Sequence, residues 1–164
     1  MHSLKMIVRA LCALTLVVFV AGASAQAPVR PPYGTAINLE TAKKVAIASA
    51  AEAKKNSWNV AIAIVDNHGF LVYFEMMDDT QTAGGNIALE KAKASAGYRR
   101  PTKEFEDNVA SGRNAILGLT GAMPIEGGVP LVVGGKMIGA IGVSGATAAQ
   151  DGQIAKAGAE ALGK

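Results

Sequence analysis

The sequence predicts a single α+β domain in which an antiparallel sheet is flanked by helices. Two pairs of short apolar runs are each joined by residues that tolerate positive φ, Asp66-Asn67-His68-Gly69 in the first pair and Gly134-Gly135 in the second. Alanine-rich stretches at helical spacing precede, separate and follow these pairs. The resulting order, α-β-β-α-α-β-β-α, makes hairpins and not the βαβ units of a parallel sheet.

The elements follow in order. Lys5 and Arg9 form a positive start, Ala10 to Ala21 is apolar, and Ala23-Ser24-Ala25 places small residues where a signal peptidase reads, so residues 1–25 read as a signal peptide cleaved after Ala25. A membrane anchor needs roughly 20 apolar residues, more than this run supplies. A lipoprotein reading of Cys12 fails because no small-residue processing site precedes it. The expected location is therefore periplasmic or secreted, with no membrane span after cleavage. Residues 26–37, with Pro28, Pro31, Pro32 and Gly34, read as an extended leader, and residues 38–164 as the domain.

Asn38 suits an N-cap, and Leu39, Ala42, Ala46, Ile47, Ala50 and Ala53 carry a first helix from about Leu39 to Lys55. Val60 to Val65 and Phe70 to Met76 form the first hairpin, with His68 at its tip. Ile87, Ala88, Lys91, Ala92 and Ser95 predict a helix ending near Gly97. Pro101 breaks the chain, and Thr102 caps a further helical turn whose Glu104, Glu106 and Asp107 suit a helix start. Leu131 to Val133 and Lys136 to Ser144 form the second hairpin; Gly139 and Gly142 inside its second strand predict close approach of another backbone or a ligand. Ala148 to Leu162 closes the chain as a helix.

Composition removes several function classes. Cleavage leaves 139 of 164 residues, enough for one ordinary domain, with 14 basic against 13 acidic side chains. A nearly neutral surface without a Lys/Arg cluster offers nucleic acid no electrostatic footprint. Cys12 and His2 leave with the signal, so the processed chain has no thiol and His68 is its one imidazole. That excludes disulfides, a multi-histidine zinc site and any serine-histidine triad not built on His68. The glycines around Gly139 lack the Gly-Lys-Ser/Thr ending of a phosphate loop, and Ser144-Gly145 is not a Gly-x-Ser-x-Gly elbow.

Several stretches taken together resemble the GlcG/HbpS family, which includes haem-binding members and the C-terminal domain of PduO-type corrinoid adenosyltransferases. They are Val65-Asp66 with Gly69 and Leu71-Val72, Met77-Asp78, Ile87-Ala88 with Lys91-Ala92, Pro101-Thr102, Gly127-Gly128-Val129-Pro130, Ile138 to Gly145, Asp151 and Ala157-Gly158-Ala159. The resemblance runs from about Leu39 to Leu162. It implies a profilin-like fold, an antiparallel sheet flanked by helices, and assembly into homo-oligomers. Where members often carry Asp-Gly-Ala after the methionine of the second strand, this chain has Asp78-Asp79-Thr80.

The resemblance implies a small-molecule ligand, haem or a related tetrapyrrole, in a groove between sheet and helix, held for capture, storage or sensing. His68 is the candidate iron ligand, since imidazole commonly binds haem iron; a histidine at a hairpin tip also fits a solvated turn residue. Met76 or Met77 can supply an axial sulfur, although one of two adjacent strand residues must point inward. Tyr73 or Tyr98 can supply a phenolate, and Lys91, Lys93, Arg99 and Arg100 can meet haem propionates. The cofactor-binding set is thus His68, Met77, Lys91, Tyr98 and Arg99, with His68 the metal ligand and no residue assigned a catalytic role. Two alternatives stay open: a small-metabolite enzyme using Asp66, His68 and Lys91 as acid-base groups, and a purely structural module that binds copies of itself.

Overall fold

Asn38 is extended and its side chain accepts a 2.8 Å hydrogen bond from the Thr41 N–H, so the first helix, α1 (Leu39–Lys55), starts and stops where its pattern places it. The computed structural model describes residues 29–163; residues 1–25, expected from the sequence to be a signal peptide, lie outside them, as do residues 26–28 and 164. In the first hairpin, β1 (Ala61–Asp66) is apolar on both faces, as a central strand must be, and β2 (Leu71–Met76) is its antiparallel partner. Asp66 Oδ1 closes the turn by accepting from the N–H groups of His68 and Phe70.

Helix α2 (Gly84–Tyr98) runs past the expected Gly97, because Arg99 takes the left-handed conformation, φ 52°, that usually falls to glycine at a helix end. Helix α3 (Lys103–Ala110) follows, but Thr102 does not cap it. That expectation is corrected: Thr102 is buried, its Oγ1 accepts from the Gly128 N–H, and its own N–H donates to the Gly128 carbonyl. The hydroxyl therefore ties α3 to the Gly127-Gly128 segment. A short 3₁₀ turn, Asn114–Gly118, leads into β3 (Gly128–Val133) and β4 (Lys136–Ser144), joined through Gly134 and Gly135 at φ 56° and 75°. Helix α4 (Ala148–Glu160) opens on a capping box between Thr147 and Gln150 and ends before the predicted Leu162 in a 3₁₀ turn, Ala161–Gly163.

The four strands form one antiparallel sheet in the order β2-β1-β4-β3. Strand alternation sorts its side chains. Ile62, Ile64, Ile141 and Val143 meet α1 and α4 through Val45, Ala46 and Ile154 on one face. Ala61, Ala63, Val65 and Ala140 meet Ala88, Ala92 and Ala96 of α2 on the other. The register steps from Leu131 opposite Gly139 to Val132 opposite Met137, so Ile138 is an extra residue that bulges β4. A Cβ on Gly142 would lie 2.0 Å from the Ala88 carbonyl oxygen, which explains the missing side chain as the close approach of α2.

Residues 29–37 form no strand of the sheet, yet they are fastened to the domain. The Gly34 N–H donates to Met137 O, the Met137 N–H to Pro32 O and the Ile37 N–H to Ile138 O. Arg30 makes two parallel 2.7 Å bonds to Glu104 of α3. The Tyr33 hydroxyl reaches the carbonyls of Ala96 and Gly97 at the end of α2.

Candidate functional site

The residues singled out in the sequence separate into an outer and an inner group. His68 is exposed in the β1–β2 turn; its backbone N–H is bonded to Asp66, and among the described residues no hydrogen bond reaches its ring. Met77 packs against the α1–α4 side of the core, which leaves the neighbouring Met76, 41% exposed, as the open sulfur, in keeping with strand alternation. Lys91 is 1% exposed, with its ammonium 2.8 Å from Asp151 Oδ2 and 3.0 Å from the Val143 carbonyl oxygen. This corrects its expected approach to an anionic ligand, because the charge is spent inside the domain.

Tyr98 closes the far end of α2. Its ring meets Phe105 edge-on at 5.1 Å and its hydroxyl donates to the Thr120 carbonyl. Arg99 lays its guanidinium 5.2 Å from the Tyr33 ring centre. The acid-base set Asp66, His68 and Lys91 does not converge: the first two share the turn, while Lys91 faces α4. Among the described residues no group of three or more His, Cys, Asp and Glu comes together to hold a metal ion.

What the sheet does offer is an uncovered face. Met76, Phe74 and Leu71 stand opposite Ala61, Ala63 and Val65 across the hairpin, so all six point to the α2 side. Helix α2 packs over β4, β1 and β3. Its first turn approaches β2, where a Cβ on Gly85 would lie 3.3 Å from Phe74 Cζ and 3.7 Å from Met76 Sδ. Leu71, Phe74 and Met76 are consequently 51%, 43% and 41% exposed, and Phe70 in the turn is 72% exposed. The result is an apolar shelf, ~17 Å long at ~3.3 Å per strand residue, with Met76 at one end and the His68 turn at the other. Contiguous exposed apolar surface of this kind marks an interaction site.

Sequence reasoning missed this shelf, although a signal was present. Leu71-Val72-Tyr73-Phe74-Glu75-Met76 has large apolar residues on both faces, whereas an edge strand with one wet face alternates apolar with polar.

Two of the concavities among the described residues lie elsewhere. One of about 660 Å³ is bounded by Glu52, Lys103, Glu126, Gln153, Lys156 and Glu160. The other, about 400 Å³, has Ile37, Val133, Ile138 and Leu162 on its walls and Thr35, Asn38, Thr41 and Lys44 around them. None of His68, Met77, Lys91, Tyr98 and Arg99 lines either.

Residues 37–160 match the family model described as haem degrading protein HbpS-like. Protein GlcG of Escherichia coli K12 is 44% identical over 108 residues, which cover 66% of this chain and 81% of GlcG. A 15.0 kDa protein from the dhaT-dhaS intergenic region of Citrobacter freundii is 37% identical over 124 residues, covering 73% of this chain and 87% of that one. Among solved structures, a double mutant of Streptomyces reticuli HbpS superposes with a TM-score of 0.73 at 30% identity, covering 85% of this chain and 99% of that one. A PduOC complex with haem does so with a TM-score of 0.69 at 26% identity, covering 77% and 95%. The sheet order, the helices on its two faces and these matches along most of its length place the chain in one group: it belongs to the HbpS-like family.

Proposed function

We propose that this protein is an exported accessory protein that binds haem or a related tetrapyrrole on the β2–α2 shelf, for capture, storage or sensing. The observation that carries the reading is the uncovered apolar face of Leu71, Phe74 and Met76, flat because it is the surface of a strand and open because α2 stops short of it. A planar apolar macrocycle suits such a face better than the larger, charged concavity. Potential iron ligands border the shelf at both ends, the exposed imidazole of His68 and the thioether of Met76. The haem complex of the structurally similar PduOC supports the same ligand class.

Titrating the purified chain with haemin tests the proposal. A shifted Soret band is expected for the natural protein, and Phe74→Glu, which sets a charge in the middle of the shelf, is expected to weaken binding at least tenfold. His68→Ala and Met76→Leu then separate the two ligands by the spectrum of the bound form. No Soret shift with the natural protein overturns the reading.

A further inference from the structure

The segment ahead of α1 does more than fasten the chain. Tyr33 and Gly34, consecutive residues, join two parts of the molecule that the sheet alone leaves separate. Gly34 accepts a 2.6 Å hydrogen bond from Asn67 Nδ2, in the turn that carries His68. Tyr33 bonds through its hydroxyl to the last carbonyls of α2, and its ring lies 5.2 Å from the Arg99 guanidinium. The end of α2 and the β1–β2 turn are thereby drawn to one corner, at the Leu71 end of the shelf.

Arg99 is set there in an uncommon way. It occupies the left-handed position that ends α2, so its side chain leaves the helix axis and does not continue the helical face. Its described contacts are the Tyr33 ring and, at 3.5 Å, the Pro31 carbonyl oxygen, with no carboxylate among them. The other two arginines of this region differ: Arg30 is paired with Glu104, and Arg100 lies 4.4 Å from the Phe105 ring centre with Glu104 at 3.9 Å. A guanidinium placed over an aromatic ring and lacking an acid keeps N–H groups available for an anionic oxygen.

We infer that Arg99, aimed by Tyr33, is the receptor for the acidic group of the ligand lying on the shelf, and that the segment before α1 thereby helps to set ligand specificity. Arg99 is the binding residue and Tyr33 a positioning residue that acts through it. The inference rests on the shelf reading and selects, among flat apolar ligands, those with a carboxylate at one edge. Tyr33 lies ahead of the span matched by the family model, and Arg99 lies within it.

Haemin and its dimethyl ester separate the inference from the reading beneath it, since the ester keeps the macrocycle and iron and loses both carboxylates. The natural protein is expected to bind haemin more tightly than the ester. Arg99→Gln and Tyr33→Leu are expected to weaken haemin about tenfold and leave the ester unchanged, as loss of a charge-assisted hydrogen bond requires. Arg99→Lys and Tyr33→Phe should recover part of the difference, and Lys54→Gln, an exposed cation on α1 across the sheet from the shelf, should alter neither ligand. Equal weakening of both ligands, or of neither, overturns the role of Arg99 while leaving haem binding intact. Failure of the natural protein to bind either ligand overturns the shelf reading itself.

Discussion

Lys91 and Asp151 meet inside the domain with side chains 1% and 3% exposed. The carboxylate is also held by the Ala146 N–H, so the pair joins α2, β4 and the head of α4. Removing one partner leaves a buried charge alone, so Lys91→Met should cost about 3–5 kcal/mol, read from urea denaturation. The double variant Lys91→Met with Asp151→Leu should recover much of that loss. Burial raises the Asp151 carboxyl above its ordinary value of 3.8, outweighing the lowering by Lys91 and by the Ala146 N–H. A carboxyl raised on folding binds its proton more tightly in the native state, so its contribution to stability falls as pH rises from about that ordinary value through the raised one. Comparing urea midpoints of the natural protein and Asp151→Asn across that window should show this downward slope only in the former.

Among the elements, α2 and β4 set the geometry of the shelf. The helix lies so close to the sheet at Gly142 that no side chain fits between them. Gly142→Ala should destabilise by about 1–3 kcal/mol, the usual cost of overpacking, measured as a lowered thermal or urea midpoint. The same closeness fixes where α2 sits, over β4 and β1, and so decides that β2 stays bare. Strand β2 was legible as an element, and its apolar content on both faces was visible. Which face would be covered was not, because that depends on the line α2 takes across the sheet and on the alanines and glycines that let it settle there.

At the scale of the molecule, the segment before α1 stitches α3, the end of α2, β4 and the β1–β2 turn together. Its firmest stitch is the Arg30–Glu104 pair, half-buried and doubly bonded. A double-mutant cycle on Arg30→Ala and Glu104→Ala should give a coupling of about 1 kcal/mol, at the upper end for partly exposed pairs because both oxygens are engaged. Composition marked these residues as irregular chain, and they are irregular. Nothing in their proline and glycine content indicates that their hydrogen bonds go to β4 and α2.

The sequence by itself determined the elements, the two hairpins and the antiparallel α+β class, because turn residues and local periodicity act over a few positions and need no distant partner. It also put His68 in a turn. Only the tertiary structure decided that Lys91 is spent on Asp151, that Met76 and not Met77 is open, and that Tyr33 reaches Arg99. The first and last of those outcomes depend on pairs 60 or more residues apart in the chain, as Lys91 and Asp151 or Tyr33 and Ala96 are. Such pairs meet only after the sheet has fixed which faces its helices cover.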